Sequence, residues 1–405
     1  MIDPGPLPPD CVPMPFTVLD LFSGGGGMSY GFHAHPAFKV VGAVDAERGK
    51  PSSRPGSLGC NRTYAANIGL QPVARDLSTV TPADIRNIAG AALGDRSLDV
   101  LSACPPCTGF SRANPKNHLE DDARNSLVAR TAHWIHALQP TVVVMENARE
   151  LLSGRFAHHH NTLVDAISSD YTIHSAVHTL TRFGLPQKRE RALVVAVRKP
   201  HPLRTLDDLW AGWRVRSEAT TVRHAIAQLP PLAAGEAHDT DRWHVSPAMR
   251  EGTLARLHAT PHSGGSWRDL IHLPHLLTPA MQRSVAAGRL GSHPDVYGRM
   301  WWDRPAATIK RECGHVGNGR YAHPEQDRLC TVRELGLLNG FPSHYRWGGG
   351  SLSNMYRHIG DAVPPLISHQ LAWVAHWVLT GIRPRLPDCI LPGTSLQPAD
   401  LLPEG

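Results

Sequence analysis

Thr17-Val18-Leu19-Asp20-Leu21-Phe22-Ser23-Gly24-Gly25-Gly26-Gly27 is an apolar run that breaks directly into glycine. A short apolar run bounded by glycine reads as a buried strand, here Thr17 to Phe22. The glycines let the backbone approach a ligand closely and open a helix whose N-terminus favours negative charge. The rhythm then repeats. Val40 to Val44 reads as a second strand and stops at Asp45, and Pro72 to Arg75 is a weaker unit that stops at Asp76. Leu98 to Ala103 runs into Cys104-Pro105-Pro106-Cys107, Thr141 to Met145 runs into Glu146-Asn147, and Ala192 to Val197 is a later strand. A helical stretch lies between Asp122 and Leu138, ahead of Pro140. This alternation predicts an α/β fold built on a doubly wound parallel sheet.

Ligands of such sheets sit beyond the carboxyl ends of the strands. That rim collects the glycines, Asp45, Asp76, Cys107 and Glu146. Gly24 and Gly26 match the first two glycines of a dinucleotide-binding turn, but Ser29 stands where the third belongs, which points to another nucleoside cofactor. Asp45, 25 positions after Asp20, suits ribose hydroxyls, with a helix N-cap as the alternative. Pro105 and Pro106 stiffen the chain ahead of Cys107, so its thiol can be held in place; an inert buried cysteine is the plainer reading. Glu146 follows four apolar residues, Val142 to Met145, and a carboxylate there needs a partner or a function.

The chain has 405 residues, room for a large domain and a smaller one. Hydrophobic residues make up 41% and charged ones 19%, a globular balance. No apolar run approaches the ~18 residues of a membrane helix. Residues 1–15 are proline-rich and lack the pattern of a secretion signal, so a disordered tail on a cytoplasmic protein is expected. A net charge of +6, with arginine well ahead of lysine, suits a polyanionic partner, although a GC-rich genome gives the same bias. Seven scattered cysteines do not suggest a disulfide framework. Cys104 and Cys107 have no second pair at zinc-ribbon spacing. His158-His159-His160 has no carboxylate or cysteine at ligand spacing and reads as a solvated loop, and Cys313-x-His315 with His323 reads in the same way. No metal is expected. From about Pro200 to Arg299 the rhythm breaks down, which places a second domain there, and Leu366 to Leu379 returns to an amphipathic helix.

Together these residues resemble the DNA (cytosine-5)-methyltransferases. Asp20-Leu21-Phe22-Ser23-Gly24-Gly25-Gly26 is similar to that family's cofactor motif, and Pro105-Pro106-Cys107-Thr108-Gly109-Phe110-Ser111 to its nucleophile motif. Glu146-Asn147-Ala148 is similar to its Glu-Asn-Val motif, and Gln187-Lys188-Arg189-Glu190-Arg191 to its Gln-x-Arg-x-Arg motif. Arg333-Glu334 through Gly340-Phe341-Pro342, and Ile359-Gly360-Asp361-Ala362-Val363-Pro364-Pro365, are similar to the two C-terminal motifs. The matches run in the family's order from Asp20 to Pro365. Thr108 stands for a common Gln, Ala148 for Val, Asn339 for Gln and Asp361 for Asn; the last two are expected to bear on packing.

The resemblance implies a Rossmann-like S-adenosylmethionine-dependent methyltransferase sheet over residues 16–199 plus 354–384, a smaller target-recognition domain over 200–353, and a flexible tail over 385–405. It implies methyl transfer from S-adenosyl-L-methionine to carbon 5 of a flipped-out cytosine in double-stranded DNA, at a specific sequence. Cys107 would be the nucleophile, Glu146 would hold ring nitrogen 3 and the amine, Arg191 would reach the ring carbonyl, and Arg189 would support the loop or a phosphate. Phe22, Ser23, Gly24, Gly26, Asp45, Asp76, Leu77 and Pro105 would bind the cofactor, with Phe22 on adenine and Asp45 on ribose. Ser111, Gln187, Thr308 and Arg311 would meet DNA, while Lys310 and Arg320 would face phosphate or solvent. The last helix would fold back beside the first strand and complete the cofactor pocket. A monomer that acts without a membrane is expected, either beside a cognate restriction endonuclease or as a solitary methylase. An RNA substrate, a catalytically dead regulator and a dinucleotide-linked oxidoreductase stay open as other readings.

Overall fold

The computed structural model describes residues 14–49, 52–94, 96–109, 121–290 and 294–404. Valine and leucine fill the strands because both faces of the sheet are covered. β1 (Phe16–Leu21), β2 (Phe38–Val44), β3 (Val100–Ala103) and β4 (Val142–Ala148) run parallel. β5 (Tyr171–Thr179) and β6 (Glu190–Arg198) complete a six-stranded sheet of order β2-β1-β3-β4-β6-β5. Successive side chains point to opposite faces. Val18, Val100, Val142 and Val144 therefore join one apolar cluster, and Leu19, Leu21, Leu101, Val143 and Met145 join the other.

Two expectations need correction here. The sheet is mixed, because β6 is antiparallel to both neighbours. Pro72 to Arg75 forms no strand; Val73 makes a single bridge to Val44. The reversal of β6 has a consequence for the rim. An antiparallel strand delivers its first residues where parallel strands deliver their last, so Arg191 pairs with Ala148 beside Glu146.

α1 (Gly27–His33), α2 (Cys60–Ile68), α3 (Pro82–Leu93), α4 (Ser126–Leu138), α5 (Glu150–Ser153) and α6 (His158–Ile167) accompany these strands. The histidine run thus begins a helix rather than a loop. Short helices α7 (Leu206–Trp210), α8 (Val222–Ile226), α9 (Glu251–Ala259), α10 (Pro279–Ala286) and α11 (Val332–Leu338) punctuate the second region. Its apolar side chains, among them Trp210, Trp267 and Ile309, merge with the cluster that holds Val18. Buried ion pairing supports it: Arg328 and Glu334 meet through two contacts of 2.7 Å.

α12 (Leu352–Asp361) and α13 (Pro365–Thr380) return to the sheet. α13 packs on α1 rather than beside β1, and glycine makes the approach possible. A Cβ at Gly31 would fall 2.2 Å from the His369 nitrogen, and one at Gly27 would fall 2.2 Å from the Val363 oxygen. Ser368 Oγ donates to the Gly27 carbonyl at 2.8 Å across the same contact. The segment beyond it is ordered, against expectation. Leu386, Leu391, Leu396 and Leu401 are buried, and β8 (Leu401–Pro403) pairs with β7 (Trp213–Val215). Proline-rich composition hid this regular placement of leucine. Among the described residues, no helix is long and apolar enough to cross a membrane.

Candidate active site

The strand ends converge on a cavity of about 340 Å³, walled by Phe22, the glycine turn, Asp45, Leu77, Pro105, Cys107, Glu146, Arg311 and Asp361 among others. Phe22 takes a positive φ of 64°, a strained conformation for a bulky residue that turns the chain from β1 toward α1. Gly24 N–H donates to Asp45 Oδ2 at 2.9 Å, and Glu47 N–H donates to Oδ1 at 2.6 Å. Burial still raises the Asp45 carboxyl, against those bonds. Gly24 and Gly25 line the cavity, whereas Gly26 does not. A Cβ at Gly26 would press on Tyr345 and Tyr64, so that glycine serves packing. Asp76 and Leu77 reach the wall as expected, although Asp76 already accepts two bonds from Ser78.

Behind the wall, Asp20 is buried and ties the elements together. It accepts from Ser29 Oγ at 2.5 Å and from Ser102 Oγ at 2.8 Å. Ser29, which breaks the glycine pattern, is therefore a partner for a buried acid. Burial pushes the Asp20 carboxyl up to about 6, while the serine bonds pull it down.

Cys107 begins a single helical turn, Cys107–Gly109, at the end of the proline pair. Asn147 Nδ2 donates to the Pro105 carbonyl at 3.0 Å and anchors that turn to β4. Cys107 also lines a second cavity of about 380 Å³ with Ala148, Lys188, Arg191 and Thr308. The sulfur thus stands at the seam between two spaces. Burial raises its thiol, countered by the Arg191 guanidinium.

Glu146, 6% exposed, lines the first cavity beside Cys107. Arg191 Nε lies 2.8 Å from Glu146 Oε1 but off the hydrogen-bonding direction, so among the described residues both atoms lack a hydrogen-bond partner. Buried polar atoms left in this state are costly, and a bound ring can supply the missing bonds. Arg189 lies 3.9 Å from the same oxygen. Its other bonds go to the Ile309 and Ala362 carbonyls, both at 3.0 Å, and it is 2% exposed. It is turned away from solvent and joins two distant segments. Burial and repulsion from Arg191 lower it to about 10.

The expected DNA contacts fare unevenly. Gln187 is fully buried; it donates to Asn339 Oδ1 at 2.8 Å and accepts from the Ile309 N–H at 2.9 Å. It faces no solvent and cannot meet DNA. Arg311 turns into the first cavity, 2.9 Å from Asp361, with Nη2 lacking a hydrogen-bond partner among the described residues. Asp361 is accordingly a cavity residue rather than a packing one, and burial raises it to about 6. Thr308 stays on the rim of the second cavity. Arg320 is buried, stacked 3.9 Å from the Trp301 ring and bonded to three carbonyls, so it faces neither phosphate nor solvent. Ser111 lies outside the described residues.

The description "C-5 cytosine-specific DNA methylase" fits a family model that matches residues 16–374. The chain belongs to that family. This DNA methylase is 28% identical over 375 residues to the Type II methylase M.HgiDII of Herpetosiphon aurantiacus, covering 91% of this chain and 97% of that one. It is 29% identical over 356 residues to the Type II methyltransferase M.Eco47II of Escherichia coli, covering 87% and 77%. Two solved structures share the fold: the Dnmt2 methyltransferase of S. pombe, with TM-score 0.57 at 17% identity over 89% and 98% of the chains, and the Entamoeba histolytica methyltransferase EhMeth, with TM-score 0.54 at 14% identity over 90% and 99%. The methylase is a DNA (cytosine-5-)-methyltransferase, and use of S-adenosylmethionine follows from the family.

Sequence reasoning missed Arg311 and Asp361 as cavity residues, and it missed Arg124, which also lines the first cavity. Asp361 was visible as a carboxylate where the motif commonly has an amide. Nothing local marked Arg124.

Proposed function

We propose that the enzyme methylates carbon 5 of a cytosine flipped out of duplex DNA, at one recognised sequence, through a covalent bond between Cys107 and carbon 6. The observation that carries this is the seam: Cys107 borders both cavities, with Glu146 lining the first and Arg191 the second, their side chains 2.8 Å apart. A cavity of about 340 Å³ is of ordinary size for a nucleoside cofactor. Its donor set fits S-adenosylmethionine. Unpartnered Arg311 Nη2 suits the amino-acid carboxylate, Asp361 the ammonium, Asp45 the ribose hydroxyls and the Phe22 ring the adenine. When bound, that cofactor supplies an electrophilic methyl group.

The second cavity would receive the base. Extruding a paired base costs a few kcal/mol, roughly, which phosphate contacts offset. Arg191 favours the Cys107 thiolate, the reactive form. The sulfur bonds to carbon 6, and the electrons of the 5,6 double bond move toward carbon 5 and the ring carbonyl. Glu146 gives a proton to nitrogen 3 as charge builds, and Arg191 stabilises the carbonyl oxygen. Carbon 5 is then nucleophilic enough to accept the methyl group. Loss of the carbon 5 proton, departure of the thiolate and return of the nitrogen 3 proton to Glu146 restore the ring. The relatives' Type II names favour a role beside a restriction endonuclease.

The test is transfer of a tritiated methyl group to duplex DNA or transfer RNA, followed by sequencing of methylated cytosines in a host that expresses the gene. Label in DNA and methylation at one sequence are expected. Label confined to RNA, or methylation without sequence preference, contradicts the proposal.

A further inference from the structure

Asp121, His158 and His159 take no part in the chemistry above, yet each offers a donor atom and the three donors lie within 4.8 Å of one another. The two histidines open α6, and their rings stack with centroids 4.0 Å apart at 38°. Adjacent residues therefore present both Nε2 atoms to one carboxylate oxygen, at 3.4 Å from His158 and 2.9 Å from His159. A tetrahedral ion with bonds of about 2.0–2.1 Å holds its donors roughly 3.3–3.4 Å apart. The His158 spacing already matches. The His159 spacing is that of a hydrogen bond and would open by about 0.4 Å to admit an ion.

The surroundings also suit a cation. Asn125 Nδ2 donates to Asp121 Oδ1 at 2.8 Å and orients the carboxylate, as outer partners of metal ligands do. The side chains of His158 and Asp121 are 58% and 37% exposed, which leaves an entry path and room for water. His174, His178 and Asp207 form a comparable group, but there the Arg182 guanidinium lies 2.9 Å from Asp207 and already supplies the positive charge.

We propose that Asp121, His158 and His159 bind a divalent transition-metal ion of the zinc type, with water completing its coordination. Imidazole and carboxylate donors in this number suit such an ion. The ion would tie α6 to the turn that supports the nucleophile. Asp122 and Asn125 pack against Gly109, where a Cβ would fall 2.8 Å from Asp122 Cβ and 2.2 Å from Asn125 Oδ1.

The test uses the full chain, stripped by a chelator and dialysed against zinc chloride, with bound zinc counted by elemental mass spectrometry. Wild type should retain one equivalent. So should His160→Ala, because that ring bonds Ser175 Oγ at 2.9 Å instead. Asp121→Asn and His159→Ala should lose the equivalent, as should His158→Ala, whose exposed side chain makes misfolding a poor explanation. Zinc should raise the melting temperature of wild type and leave that of Asp121→Asn unchanged. Equal zinc content in all the variants, or none in wild type at micromolar zinc, overturns the proposal.

Discussion

Replacing Gln187 by alanine separates a structural role from a DNA contact. The side chain is fully buried. Its amide nitrogen donates to Asn339 Oδ1 at 2.8 Å and more distantly to the Leu338 carbonyl at 3.3 Å, and its oxygen accepts from Ile309 N–H at 2.9 Å. Leaving one buried partner unsatisfied costs about 1–3 kcal/mol, so losing the two short bonds costs about 2–6 kcal/mol. An unfolding entropy of ~2.1 cal/mol/K per residue gives about 0.85 kcal/mol/K for 405 residues, and the midpoint should fall by roughly 2–7 °C. Calorimetry reads that shift. Titration of duplex DNA across a salt series should show affinity within twofold of wild type and an unchanged slope. An unchanged melting point with weakened DNA binding would refute the reasoning and restore Gln187 to the DNA surface.

Asp20, held near 6 in the fold against an ordinary 3.8, favours the fold while protonated; that contribution is present below about pH 4 and is lost as pH rises through 6. Asp20→Asn should therefore gain about 3 kcal/mol relative to wild type between about pH 4 and pH 7.5 in denaturant unfolding, and a pH-independent difference contradicts this. Burial likewise raises Asp361 to about 6, so a neutral carboxyl below that pH attracts the cofactor ammonium less. Calorimetric affinity for S-adenosylmethionine should weaken from about pH 7.5 to 5.5 in wild type and less steeply in Asp361→Asn; equal slopes contradict the assignment. Arg191→Ala should slow methyl transfer by about 10²–10³ with cofactor affinity unchanged, since Arg191 opens to the second cavity; a parallel loss of cofactor binding would place it elsewhere.

The rim was legible because strand ends can be read from where apolar runs stop. Asp45 and Cys107 follow β2 and β3 as those runs predicted, whereas β4 continues through Glu146 to Ala148. β5 escaped because it is an edge strand in which His174, Ser175 and His178 interrupt the apolar pattern. The direction of β6 is set by pairing and leaves no mark in its composition. The arginines were the hardest to place, because an arginine held by carbonyls looks like one awaiting phosphate. Arg189 is satisfied by Ile309 and Ala362, 120 and 173 residues away. Asp121 is similarly hidden from His159, 38 positions on. Local spacing carries no signal of such partners, whereas Asn339, read as a packing residue, does bond within the core, to Gln187 and the Ile359 carbonyl.

The direct measurement is of the sulfur itself. Duplex DNA carrying 5-fluorocytosine at the target has fluorine where a proton must leave, so a covalent intermediate should accumulate once the methyl group is transferred. Incubated with S-adenosylmethionine, wild type should give a denaturation-resistant adduct whose DNA maps by peptide mass to Cys107, and Cys107→Ala should give none. An adduct that survives in Cys107→Ala, or no adduct from an enzyme that methylates ordinary DNA, would contradict attack by this sulfur.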